Sequence, residues 1–353
     1  MNQQHLEILK LGVNAWNNWR EAHPEIVPDL SGTLLTGLAA QGINFTRTNL
    51  SRAVLYGAHL TKSMFIGANL YKTIFIEARL NECFFSGTCL KHTSFISAWL
   101  QAANFMRSVL TEVDLSHADL RGADFRLAKL EQVNLEFAML SSVNFSNTRM
   151  INCLVHGMIA EEPETRGMQV QNLIISNHAD PTVTVDNLDV ARTIYTRMVE
   201  MQTDGGAIGE ANLVLVCGNF QGERRPILKA ICKELELRCM LPVIMHFDKP
   251  AGRGFYDIIR QIATMTRYII VDVSLMEGVT TDFLERIAFF KLPVQLMVKA
   301  AHDEQSWLAP GLQKCPWFLS PFCYQTPEQA VVAVAEQLIG AIELKALEIY
   351  NRN

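Results

Sequence analysis

The sequence predicts two architectures joined in series: a right-angled solenoid, then an α/β domain built on a parallel sheet. Three observations predict them. Every multiple of five from 45 to 145 is Leu or Phe. Within that series Phe recurs at 45, 65, 85, 105, 125 and 145, every twentieth residue without exception. From about 211 onward the pattern changes to short β-branched runs separated by amphipathic helical segments.

The first 29 residues read as a helical cap. Leu6, Leu9, Val13 and Trp16 share one helical face before Pro24 stops the helix. Residues 3 to 22 are therefore expected to cover the open end of the solenoid, which needs such a cover. Trp16 and Trp19 belong to that cap core in this reading. The N-terminus lacks the basic start, apolar run and cleavage site of a signal peptide. No stretch approaches a membrane span, so the chain is expected in the cytoplasm and not on a membrane.

Residues 30–155 carry the fivefold period, with a small or β-branched residue two positions before most members (Ala53, Ala58, Ser63, Ala68, Thr73). On an α-helix five residues advance about 500°, so the apolar residues would spiral over every side. On a flat strand an odd period would send alternate residues to opposite faces. A chain that turns about 90° once per unit points every fifth residue at one axis, and four units close a square coil. The 20-residue spacing of Phe is what stacked square coils would select.

The units GANL, HADL, RGADF and AANF resemble the A(D/N)LXX pattern of the pentapeptide repeat family. That resemblance implies a right-handed quadrilateral β-helix. It also raises DNA mimicry, since some members present an acidic rod to topoisomerases. Between 30 and 150, however, eleven basic side chains face eight acidic ones, a net +3. With an overall charge of −5 and a pI near 6.0, nothing marks a nucleic-acid partner. The polar outer surface of the rod points instead to a protein partner. The eight cysteines form no CxxC pair and no zinc spacing, so buried or reduced thiols and no metal are expected.

Residues 156–210 read as a linker with one short helix, capped by Asp186 or Asn187 and ending in the flexible TDGGAIGE. The domain at 211–353 offers strands at 212–217, 241–247, 267–273 and 293–298, with helices around 223–238, 255–265, 281–290 and 327–349. Ligands in such sheets bind where loops leave the carboxyl ends of the strands. The first loop, GNFQGERR, offers Gly218, Asn219 and Arg224 as a phosphate rest at a helix N-terminus, or an ordinary βα turn. The second, HFDKPAGRG, gathers His246, Asp248, Lys249 and Arg253. The third places Asp272 and Ser274 at a strand end and Glu285 on the next helix.

That third arrangement resembles the placement of the catalytic Glu in Toll/interleukin-1 receptor (TIR) domains and of the nucleophilic Glu in nucleoside deoxyribosyltransferases. The resemblance implies a flavodoxin/TIR-like sheet and makes Glu285 the candidate catalytic residue, able to trap an oxocarbenium-like sugar. The other reading of Glu285 is a surface carboxylate paired with Arg286 or Lys291. GVNAWNNWREAHPEIVPDLSGTLL is similar to the leader of bacterial proteins that join pentapeptide repeats to TIR domains.

Three functions follow. The first is a non-catalytic interaction or signalling protein, possessing a TIR-like module that binds NAD or another nucleotide or mediates assembly. No cofactor is required. The second is an NAD or nucleoside N-glycosidic bond hydrolase acting through Glu285. The third is an inhibitor of a DNA-handling enzyme acting through the rod. The terminal helix at 327–349 either closes the domain or pairs with a second copy into a homo-oligomer.

Overall fold

The computed structural model describes residues 1–177, 181–201, 212–220, 222–248, 259–260, 262–274, 281–299 and 315–350. The chain divides into two compact units, Met1–Ile175 with Asp186–Tyr195, and Ser176–Val185 with Thr196–Asn353.

The N-terminal unit is the square coil. Parallel bridges join residues twenty apart, from Asp29↔Asn49 and Leu34↔Val54 up to Leu154↔Ile174. One side is a five-stranded parallel sheet of three-residue strands, β1–β5: Cys89–Lys91, Val109–Thr111, Lys129–Glu131, Arg149–Ile151 and Gln169–Gln171. The coils thus run past the expected boundary at 155, and a strand, β6 (Leu173–Ile174), follows. The boundary was misplaced because residues 156–175 keep the backbone register while losing the Leu/Phe signature. At position 165, for instance, Thr stands where Phe stood before.

Most corners close as a four-residue turn, as in Ala53 N–H to the Leu50 carbonyl at 2.9 Å, while those leaving β1–β4 are bends. The third residue of such a turn needs positive φ, and Arg52 (59°) and Lys62 (62°) adopt it as Gly32 and Gly42 do. Four corners per coil turn every Leu and Phe inward. Phe45, Phe65, Phe85, Phe105, Phe125 and Phe145 are buried, and Phe65–Phe85, Phe85–Phe105 and Phe105–Phe125 stack within 6° of parallel at 4.9, 4.9 and 4.7 Å. That separation matches the spacing of β-bonded chains.

The second inward position holds small residues, and several of the polar ones bond the coil below. The hydroxyls of Thr73, Thr93 and Thr148 donate to the carbonyls of Leu50, Leu70 and Phe125 at 2.8, 2.8 and 2.7 Å. Burial pushes the Cys83 and Cys153 thiols up to about 12, which leaves them protonated and unreactive in the folded state.

The N-terminal segment is two helices, not one: α1 (Gln3–Lys10) and α2 (Val13–Ala22), broken at Gly12 with φ 101°. The buried side chains are His5, Leu9, Trp16 and Arg20, so Leu6 and Val13 are less central than their periodicity predicts. The indole N–H of Trp16 donates to the Asn44 carbonyl at 2.8 Å, Asn17 Nδ2 to Gly42 at 3.1 Å and Arg20 Nη2 to Thr46 at 3.0 Å. Asn17 Oδ1 accepts from the Asn44 N–H at 2.8 Å.

In the C-terminal unit, β7 (Val183–Val185) pairs antiparallel with β9 (Leu241–His246). The parallel strands β8 (Leu213–Gly218), β9, β10 (Thr266–Asp272), β11 (Val294–Lys299) and β12 (Phe322–Tyr324) lie in the order β12-β11-β10-β8-β9. Numbered along the chain this is 2-1-3-4-5, a doubly wound order. On one face α4 (Arg225–Leu237) and the C-terminal helices α6 (Pro327–Ala333) and α7 (Ala341–Tyr350), with a π turn at Val334–Gly340 between them, bury Ile227, Ile231, Leu235, Leu338 and Ile342 against Val214, Val216, Tyr268 and Ile270. α3 (Leu188–Met201), the helix expected after Asp186 or Asn187, follows β7, and α5 (Thr281–Ala288) follows β10. Strands 8 to 11 fall where the sequence put them. The short β7 and β12 were missed, and β7 lies inside the expected linker.

Replacing Phe105 by Ala removes a ring stacked on both sides. A loss of about 3–5 kcal/mol is expected, read as a lower midpoint in chemical denaturation with the far-UV spectrum unchanged.

Candidate functional site

The strand order reverses between β8 and β10, the place in such a sheet where the connections leave the carboxyl ends toward opposite faces. Gly218 ends β8. A Cβ there would lie 2.9 Å from the Phe220 ring and 3.0 Å from Asp272 Cβ. No larger residue fits without moving β10, which fixes how closely the two strand ends approach. Asn219, half-buried, follows it.

At the end of β10, Asp272 is buried with its carboxylate shielded from solvent. Its Oδ1 accepts from the Ser274 N–H at 3.0 Å and the Ser274 hydroxyl at 2.6 Å. Its Oδ2 accepts from the Tyr324 hydroxyl at 3.3 Å. The Ser274 oxygen in turn accepts from the Lys299 N–H at 2.8 Å and lies 3.2 Å from the Tyr324 hydroxyl. One carboxylate therefore ties the ends of β10, β11 and β12 together. A buried charge survives only with such donors and a counter-ion.

The counter-ion is Arg224, in the turn that opens α4. Its side chain is 9% exposed, and Nη1 lies 3.9 Å from Asp272 Oδ2, beyond hydrogen-bonding distance. Among the described residues Nη1 has no hydrogen-bond partner. Lys299 Nζ stands 3.9 Å from Glu223 at the same turn. Burial, then the Asp272 charge, raises the Tyr324 hydroxyl above its ordinary value.

Of the residues singled out in the sequence, Gly218, Arg224, Asp272 and Ser274 come together, with Asn219 beside them. Asp248 lies elsewhere: its carboxylate accepts from the Thr182 N–H at 2.9 Å and the Thr182 hydroxyl at 2.6 Å, which fastens the loop after β9 to the start of β7. His246 nearby is lowered by burial, with Asp248 opposing. Lys249 and Arg253 lie outside the described residues. Glu285 is exposed on α5, whose inward residues are Phe283, Leu284 and Ile287. The loop 275–280 before it lies outside the described residues. Tyr324 was missed because FCY is too short for a period-2 signal. Among the described residues no cluster of His, Cys, Asp or Glu is suited to a metal, and no helix is long and apolar enough to cross a membrane.

Tyr324→Phe should cost about 1–3 kcal/mol, because Asp272 loses a buried donor. Tyr324 and Tyr268 both have folded values raised above the unfolded one near 10. Their stabilisation is complete below about pH 10 and is lost as pH rises through the folded values. Melting temperature against pH should fall on that alkaline limb, and fall less steeply in Tyr324→Phe.

The pentapeptide repeat region family matches residues 58–135, and the pentapeptide repeats family, in eight copies, matches 29–65 and 128–157. No curated protein matches the chain. Among solved structures, the chain is similar to HetL, a pentapeptide repeat protein involved in heterocyst differentiation regulation from Nostoc sp. strain PCC 7120. That match has 17% identity and a TM-score of 0.17 over 44% of this chain and 94% of HetL. Rfr23 from Cyanothece 51142 matches at 18% identity and TM-score 0.17, over 43% of this chain and 92% of its own. Full-length QnrB1, a plasmid-mediated fluoroquinolone resistance protein, matches at 15% identity and TM-score 0.16, over 40% and 91%. The family matches coincide with the twenty-residue register of bridges and inward Leu and Phe. Residues 29–157, then, carry pentapeptide repeats.

Proposed function

We propose that this is a non-catalytic interaction or signalling protein. In this reading the solenoid, with α1 and α2 as its N-terminal cap, is a scaffold for a protein partner. The C-terminal unit is a flavodoxin/TIR-like module that binds a nucleotide such as NAD or mediates assembly. The nucleotide part rests on Arg224. A guanidinium nitrogen buried without a partner is a rare and costly state, and a phosphate oxygen would relieve it. Arg224 is also the N-cap of α4, and a helix start favours an anion even though Pro226 supplies no N–H there. The 2-1-3-4-5 strand order supports the reading, since ligands of such sheets occupy the crevice where Gly218 and Asp272 meet. Glu285, exposed on α5, is given no chemical role.

The test is thermal melting of the full chain with NAD, ATP and inorganic phosphate, alongside chromatography for released base. A ligand at a hundredfold its Kd should add about 2.7 kcal/mol of stability, visible as a raised midpoint that Arg224→Gln abolishes while the nucleotide stays intact. Released base that disappears in Glu285→Ala would replace this reading with glycosidic-bond hydrolysis. An unmoved midpoint with all three ligands would remove the nucleotide part.

A further inference from the structure

The net charge of the rod conceals a sorted one. Because residues twenty apart lie above each other, each outward column is a ladder, and the eleven basic side chains between 30 and 150 are unevenly shared among the four sides. The outer face of the β1–β5 sheet carries Lys91, Lys129 and Arg149, all exposed, with Val109 paired directly to Lys129 and Lys129 to Arg149. The corner entering that face carries Arg47, Arg107 and Arg126, and the corner leaving it carries Arg52 and Lys72. These eight cations share their side with two carboxylates, Glu112 and Glu131. The other three sides hold three cations and six carboxylates.

Pairing largely follows the same division. Lys62 is bonded to Glu82 and Arg121 to Asp119, while Arg79 lies 5.5 Å over the Trp99 ring. All three off-strip cations therefore have partners. On the strip Arg126 is bonded to Asp124 and Lys72 Nζ lies 5.3 Å over the Tyr71 ring. The other six take part in no ion pair with a described residue; Glu112 instead faces His92 at 3.0 Å. Exposed Val109 and Leu127 interrupt the cations on the same side, at 38% and 47% exposure.

We propose that this side of the solenoid is the docking surface for an acidic protein segment that also carries apolar side chains. The inference rests on the scaffold reading above and names its face and the chemistry of its partner. Unpaired cations spread over five coil steps, about 24 Å, set up a positive stripe that steers and registers an opposite charge. Two carboxylates within the stripe and the apolar Val109 and Leu127 suit a mixed acidic and apolar segment better than a uniform row of phosphates. The chain's −5 charge likewise disfavours a long polyanion.

The experiment measures fluorescence anisotropy of a labelled peptide of ~15 residues, built from Glu, Asp and Leu to span the stripe, with the full chain at low salt and at ~0.15 M ionic strength. Saturable binding weakened by salt is expected. Arg107→Gln/Lys129→Gln/Arg149→Gln, melting like the wild type, should weaken it about tenfold or more. The control Lys62→Gln/Arg79→Gln/Arg121→Gln should leave it unchanged. Equal loss in both triples, or no peptide binding by the wild type, would overturn the proposal. So would tight binding of a duplex oligonucleotide or of phosphatidylserine vesicles in preference to the peptide. A protein partner retained equally by the wild type and the strip variant would remove the strip while leaving the scaffold reading in place.

Discussion

Vertical register at twenty residues is the constraint on which the solenoid depends. Backbone N–H groups reach carbonyls nineteen residues ahead or twenty-one behind, as Leu50 to Asn69 and Val54 to Thr33. The spacing this sets is the spacing at which phenyl rings stack face to face. Core and backbone therefore demand one geometry, and neither tolerates a slip. Edge-to-face contacts between the two Phe columns, such as Phe65–Phe75 at 5.5 Å and Phe85–Phe95 at 5.6 Å, fill the middle of the square. Any outward residue is thereby stacked on its counterpart one coil away, so charge or polarity becomes a property of a column. The Asn69 to Asn49 amide bond at 3.2 Å and the Lys129–Arg149 neighbours are two products of that rule.

Legibility followed the density of the signal. The fivefold period repeats so often that one lapse, Ala40, does not disturb it, and four strands of the C-terminal sheet stand out because each carries a run of apolar residues. Helix boundaries were coarser: Gly12 divides the N-terminal helix by adopting a φ the periodicity of Leu9 and Trp16 does not encode. The coils after 155 were missed because backbone pairing outlasts the Leu and Phe column there. Gly218, Arg224, Asp272 and Ser274 were found from their places at strand ends. That Asp248 fastens Thr182, and that Tyr324 completes the site, depends on partners 66 and 52 residues away. No local pattern carries such pairings.

The two units handle charge in opposite ways. In the C-terminal unit a single carboxylate is withdrawn from water and receives donors from Ser274 and Tyr324, and its counter-ion is left with a donor to spare. Low dielectric makes each of those contacts strong and each omission costly. On the solenoid the cations stand in water, where any one of them counts for little. Their alignment is supplied by the coil.

The directions of the hydrogen bonds give the rod a polarity of its own. In the unit around Leu50, the N–H groups of Leu50 and Arg52 point toward later coils, that of Val54 points toward earlier ones, and that of Ala53 closes the corner. The same two-to-one pattern recurs around Leu60 and Leu80, so each such unit leaves about one uncancelled peptide dipole of ~3.5 D along the axis. Carbonyls predominate at the N-terminal end, which makes that end the negative pole, the reverse of an α-helix running the same way. The groups found there answer that sign: Arg20 donates to the carbonyls of Ile26 and Thr46, and Trp16 and Asn17 donate to those of Asn44 and Gly42. α2 thus reproduces, in side chains, the donors and acceptor that a preceding coil would have presented.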